Sequence, residues 1–113
     1  MIAYAAKFYG TDGTGITLAQ DGTAHGNKQI AAHGLQDRAR ILRMDYRDML
    51  YNPSNTQKFD KITCLEMGEH VGIRKFQGFI NKIYDKLNDD GMFYIQQAGL
   101  RANPGITKKG EHW

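Results

Sequence analysis

The run Phe59–Gly72 (FDKITCLEMGEHVG) sets two carboxylates, Glu66 and Glu69, and an imidazole, His70, directly after a short apolar segment. A carboxylate held at such a place can hold a proton or steady a nearby positive charge. The same acid at the start of a helix is also favoured by the helix dipole. On residue type alone, capping is the better-supported role for Glu69, and Glu66 divides evenly between a solvated loop acid and a hydrogen-bonding one. Asp45 and Tyr46, in MDYRD, pair a carboxylate with an aromatic ring, although a strand-terminal aspartate serves as a turn cap about as often. Thr17, Leu18 and Gln96 stand at comparable segment ends. A lone histidine at a segment end, as His70 is, is more often structural than catalytic. Cys64 lies inside an apolar run, where a buried thiol behaves as a small hydrophobe. The four histidines show no metal-ligand spacing with cysteine or acids.

These residues need elements to hold them. Ile2, Ala5, Ala6 and Tyr9 recur at helical spacing, which predicts a helix over Met1–Tyr9 that ends before Gly10. A Gly/Thr/Asp turn then leads into a strand at Gly15–Ala19. A weak helix is expected over residues 21–34, because Gly22 and Gly26 each cost roughly 1 kcal/mol against Ala. Its apolar face is Ala24, Ile30 and Ala31, with Leu35 beyond a glycine stop at Gly34. Arg40–Asp45 reads as a second strand, with arginines suited to a sheet edge. A loop through Asn52–Asn55 follows, then Lys61–Leu65 as a strand buried on both faces. The clearest helix is Ile73–Leu87, where Ile73, Phe76, Phe79, Ile80, Ile83, Tyr84 and Leu87 form one stripe. Asn88–Gly91 stops it, Met92–Gln97 is a last strand, and residues 101–113 read as a loose tail.

Strands alternating with helices imply an α/β fold with parallel pairing through right-handed crossovers. Ligands of such sheets bind at the carboxyl ends of the strands. The ends are Thr17–Leu18, Asp45–Tyr46, Glu66–Gly72 and Gln96–Gly99, so the candidate residues converge on one kind of location.

Composition narrows the classes. At 113 residues the chain holds one modest domain, read as residues 1–100. An apolar fraction of 41% with 24% charged residues is that of a globular protein. No stretch has the apolar length of a membrane span or the pattern of a signal peptide, which points to a cytoplasmic protein or one peripheral to the cytosolic face of a membrane. A single cysteine excludes an internal disulfide. The net charge of +3 is mild, and its basic residues are not interleaved with aromatics, which argues against nucleic acid as partner.

Taken in order, TGITLAQ, HGNKQIAAHGL, DRARILRMDYRD, FDKITCLEMGEHVGIRKF and GMFYIQQAGLR resemble the cyclopropane-fatty-acid synthase family, in particular its sphingolipid C9-methyltransferase branch. The resemblance covers about residues 3–101. EHVG, after a strand and before an amphipathic helix, is its most specific part. It implies a Rossmann-like class I methyltransferase fold, a parallel sheet with helices on both faces. It also implies transfer of a methyl group from S-adenosylmethionine to a lipid double bond, as C9-methylation of a sphingoid base or cyclopropane formation.

Under that resemblance Thr17 and Leu18 contact the ribose and adenosine, and Asp45 and Tyr46 the adenine. Glu69 helps hold a bound bicarbonate that acts as base. Gln96 stands where cyclopropane synthases carry a bicarbonate-binding histidine, and the sphingolipid branch has glutamine there. Gly22 departs from the family, which has glutamine at that position; Gln20 or Asp21 is left to bond the ribose. The family's first strand and glycine-rich loop find no match in the chain, and that strand lies mid-sheet, between those at Gly15–Ala19 and Lys61–Leu65. The isolated chain is therefore expected to be inactive. Two other readings remain: a non-catalytic remnant that joins a partner chain through open sheet edges, and a small-molecule methyltransferase of the same fold.

Overall fold

The computed structural model describes residues 1–49, 52–53 and 57–99, with only the backbone for Glu69 and Ile73. It divides into two compact units, residues 1–57 and 58–113. Each holds one parallel pair of strands flanked by helices, the mixed α/β arrangement that the alternation implies. The tail at residues 101–113 and most of the loop at residues 50–56 lie outside the described residues.

In the first unit, α1 (Ile2–Tyr9) leads to β1 (Gly13–Thr17), α2 (Gln20–Ala32) and β2 (Ala39–Arg43). Gly10 ends α1 in the left-handed region, with its N–H on the Ala6 carbonyl at 3.2 Å. Ala6 is buried and Ile2, Ala3 and Ala5 are half-buried, whereas Tyr9 is 75% exposed and leaves the expected stripe. The strand starts two residues earlier than the periodicity suggests. A Cβ on Gly13 or Gly15 would sit 3.2 to 3.4 Å from the Ile2 side chain, so these glycines let α1 lie close on β1.

β1 and β2 run parallel with Gly13 opposite Ala39, Gly15 opposite Ile41 and Thr17 opposite Arg43. Both helices pack on the Gly13/Gly15/Ala39/Ile41 face, around a core of Ala6, Ile30 and Ala39. Ala24 and Ala31, expected on the inner face of α2, are exposed; the inward side is Thr23, Gly26, Asn27 and Ile30. Gly26 is the reason: a Cβ there would overlap Ile41 Cδ1, so the helix turns its glycine toward the sheet. Gly34, at φ 66°, ends the helix region, with the Leu35 N–H returning to the Ile30 carbonyl at 3.0 Å. Arg40 sits on the opposite face, bonding Asp12 at 2.7 Å and Thr14 at 2.9 Å.

Alternation along β2 turns the N–H and C=O of Ile41 away from β1. Asn27 meets both: its Oδ1 accepts from the Ile41 N–H at 2.9 Å and its Nδ2 donates to the Ile41 carbonyl at 2.8 Å. The outer edge of β2 is therefore occupied by a side-chain amide. On β1 the groups turned outward are those of Thr14 and Ile16, and no hydrogen bond to them is seen among the described residues.

In the second unit, β3 (Phe59–Leu65) is followed by a one-turn helix α3 (Gly68–Val71), α4 (Ile73–Lys86) and β4 (Leu87–Gln96). Phe79, 1% exposed, and Ile83 are the buried side chains of α4, with Phe76 and Ile80 half-buried. Two members of the expected stripe leave it. Tyr84 is 77% exposed, and Leu87 already belongs to β4. The pairing of β4 with β3 is parallel, from Lys61 opposite Met92 to Leu65 opposite Gln96. Phe59 opposite Leu87 starts it, and Asn88–Gly91 bulge between the two registers. There the Asn88 amide donates to Asp60 at 2.7 Å, and a Cβ on Gly91 would come within 2.8 Å of the Asn88 carbonyl oxygen. β3 is not buried on both faces. Cys64 is buried, as expected, but Lys61, Thr63 and Leu65 are exposed, together with Met92, Tyr94 and Gln96 across from them. This pair has one covered face and one open one.

Candidate functional site

The carboxyl ends of β1 and β2 lie side by side. The Met44 N–H donates to the Thr17 carbonyl at 3.1 Å and prolongs the pairing one residue past β2. Thr17 Oγ1 accepts from the Ala19 N–H at 3.2 Å, a local turn that leads the chain into α2. Leu18 is 66% exposed, and its carbonyl accepts from Arg43 Nε at 3.1 Å. Arg43, expected from the sequence as an edge arginine rather than a site residue, ties the end of β1 to the end of β2. Its position at the last residue of a strand, opposite Thr17, was the available signal.

Asp45 follows at once and heads a short 3-10 turn, Tyr46–Asp48. Its Oδ1 accepts from the Arg47 N–H at 2.9 Å and from Arg47 Nε at 3.0 Å, while Oδ2 accepts from Arg47 Nη2 at 2.7 Å. The capping role is thus realised, and the fork of Arg47 takes up both carboxylate oxygens. The hydrogen bond from Arg47 to Asp45, and then their opposite charges, raise the guanidinium pKa above its ordinary value. Tyr46 is half-buried beside this pair. So Thr17, Leu18, Asp45 and Tyr46 come together at one end of one sheet.

Glu69 and Gln96 belong to the second unit. Leu65 and Gln96 are register partners at the ends of β3 and β4, and α3 with Glu69 starts three residues on. The Glu69 side chain lies outside the described residues. Gln96 points to the open face, where the Tyr94 hydroxyl donates to its Oε1 at 3.5 Å. Its carbonyl takes the Glu66 N–H at 2.5 Å. Glu66 is exposed and has φ 54°, a left-handed conformation unusual for a residue with a side chain. That bond is made by its backbone N–H, while its carboxylate is exposed, as the loop-acid alternative has it. His70 is exposed, and its N–H returns to the Met67 carbonyl at 3.0 Å. No cluster of His, Cys, Asp and Glu able to hold a metal occurs among the described residues. No described helix is long and apolar enough to cross a membrane.

Comparison with known proteins gives this geometry a context. The family model described as mycolic acid cyclopropane synthetase matches residues 1–113. The chain is 50% identical over 107 residues to a sphingolipid C9-methyltransferase of Komagataella phaffii, covering 91% of this chain and 22% of that protein. It is also 50% identical over 101 residues to sphingolipid C9-methyltransferase A of Emericella nidulans, covering 88% and 19%. A probable fatty acid methyltransferase of Pseudomonas putida is 30% identical over 106 residues, covering 94% and 24%. The chain spans about a fifth of the length of the curated relatives it matches.

Proposed function

The chain belongs to the mycolic acid cyclopropane synthetase family of methyltransferases, and from that premise we propose that it forms part of the catalytic core of an S-adenosylmethionine-dependent enzyme that methylates a lipid double bond. The favoured substrate is a sphingoid base, since the 50% identical relatives are named sphingolipid C9-methyltransferases. The observation that carries this reading is the meeting of Thr17–Leu18 with Asp45–Tyr46 at the carboxyl ends of a parallel pair, tied by the Met44 and Arg43 bonds.

The donor set there suits the adenosine half of the cofactor. A half-buried ring offers a stacking face, an exposed leucine an apolar contact, and a fixed carboxylate a directional acceptor. S-adenosylmethionine, when bound, supplies the electrophilic methyl group. Tyr46 and Leu18 would hold the purine, and Asp45, fixed by Arg47, would accept from its amine. In the second unit, Gln96 Oε1 takes the Tyr94 hydroxyl, and the amide N–H groups of Gln96 suit a small oxyanion. Bicarbonate there would supply the base that removes the substrate proton. Glu69 would accept from the hydroxyl of a bicarbonate and steady positive charge on the lipid. A lipid substrate places the whole enzyme at a membrane surface.

The isolated chain is expected to transfer no methyl group. The test is a chimera in which this chain replaces the matching segment of the Komagataella phaffii relative. Methyl transfer to a ceramide with an unsaturated sphingoid base should persist. Glu69→Gln within it should lower kcat by about 100-fold. A chimera that binds S-adenosylmethionine yet transfers at an unchanged rate after Glu69→Gln would sink the role of Glu69. Binding of S-adenosylmethionine left unchanged by Asp45→Ala and Tyr46→Ala would sink the adenosine site.

A second reading has an observation of its own. The outward backbone groups of Thr14 and Ile16, and the exposed Leu65, Met92 and Tyr94, suit a chain that joins a partner. A monodisperse, folded monomer in solution would count against it.

A further inference from the structure

The sequence points to Gln96 as the glutamine of the site, yet its neighbour is the one that reaches the EHVG turn. Side chains alternate along a strand, so where Gln96 faces Tyr94 on the open side, Gln97 turns the other way. Its amide lies over the Cα of Gly68. A Cβ added to Gly68 would overlap Gln97 Oε1 and stand 3.2 Å from Gln97 Cδ and 3.4 Å from Phe76 Cε2. Gly68 is buried under these two side chains.

The other end of the turn is held by the residue before. The Gln96 carbonyl accepts the Glu66 N–H, and Glu66 is the only non-glycine with positive φ among the described residues. A side-chain-bearing residue stays in that conformation where its surroundings over-determine it. Two consecutive residues at the end of β4 thus grip one turn at two points, Gln96 by its backbone at Glu66 and Gln97 by its side chain at Gly68. Glu69 is the next residue along.

We propose that Gln97 is a positioning residue: its side chain, seated on the bare Cα of Gly68, fixes the β3–α3 turn and with it the place from which Glu69 projects. The inference rests on the reading of Glu69 as the chemical residue. It explains a glycine at position 68 by the volume of the Gln97 amide rather than by backbone conformation, since the positive-φ glycines are Gly10, Gly34 and Gly72.

The experiment is amide hydrogen exchange on the 113-residue chain. The reporters are the Glu66 and His70 amides, whose bonds to the Gln96 and Met67 carbonyls bracket Gly68. Gln97→Ala should speed exchange at both by about tenfold, leaving the Phe79 and Ile83 amides of α4 unchanged. Gln97→Glu, of the same length and shape, should restore protection. Gly68→Ala should loosen the turn as well, because its methyl displaces the amide, and the double variant Gly68→Ala/Gln97→Ala should be no looser than Gly68→Ala alone. Unchanged exchange in Gln97→Ala would overturn the proposal. So would failure of Gln97→Glu to rescue, or loosening that spreads through α4. Exchange needs neither cofactor nor turnover, so its result stands apart from the role of Glu69, which the Glu69→Gln chimera decides.

Discussion

Glycine 26 shows how a single residue can be misjudged by propensity. In a helix it costs roughly 1 kcal/mol against alanine, yet here it admits Ile41 Cδ1 to the surface of α2. Gly26→Ala is expected to destabilise the chain by about 1 kcal/mol in urea unfolding, the net of overpacking and the better helix former. Ile41→Val removes the Cδ1 methyl, so the double variant should lose less than the sum of the two single ones. The placement of the candidate residues was legible in a similar, partial way. Thr17, Leu18, Asp45 and Tyr46 do meet at strand ends, because strand alternation with helices dictates where such ends lie. That Asp45 would spend both oxygens on Arg47 was not legible, since an i, i+2 pair becomes adjacent only when the 3-10 turn forms. Nor was Gln97, since Gln-Gln gives no hint of which amide faces which side until the end of β4 is known.

Among the elements, α4 was the most readable, because its stripe runs over many residues and Phe79 and Ile83 are buried. Its end was less so: Lys86 closes the helix and Leu87 opens β4 with no residues between. Lys86 is half-buried there, and its ammonium pKa is pushed below its ordinary value by burial first and by Lys82 second, against a smaller opposing pull from Asp85. A lysine whose pKa is lower in the folded chain binds its proton less tightly there than in the unfolded one. Its charge therefore opposes folding at neutral pH, and that opposition fades as pH rises through the lowered pKa toward the ordinary value. Lys86→Met should be more stable than the parent at neutral pH, with the difference shrinking in alkali, as read from urea midpoints across that range. In the first unit, Asn27 adds hydrogen bonds to the packing of Gly26 and Ile30 that seats α2 on β2. Asn27→Ala removes both bonds to Ile41 and should cost about 1–3 kcal/mol in the same measurement.

At the scale of the molecule, the described residues hold two parallel pairs where parallel sheets ordinarily have more strands and cover on both faces. The sequence foretold parallel strands and their helices, since that follows from local order. It did not foretell the exposure of Lys61, Thr63 and Leu65, because a short apolar run reads the same whether one face is covered or two. Leu65 and Met92 are the exposed aliphatic side chains of that face. Replacing both with threonine should leave the far-ultraviolet circular dichroism unchanged and lower self-association in sedimentation velocity. Retained self-association would place the sticky surface elsewhere, with the aromatic side of α1 (Tyr4, Phe8 and Tyr9) the next to examine.

The Asn27 amide has a meaning at this scale too. It mimics the backbone of a neighbouring strand at Ile41, as a capping protein mimics the next subunit at one end of a filament. Among the described residues, the first sheet is thereby polar in its growth: its β2 edge is taken up at Ile41, while β1 turns the backbone groups of Thr14 and Ile16 outward. A strand that added to the sheet along β1 would meet backbone rather than a side-chain amide, whichever polypeptide supplied it.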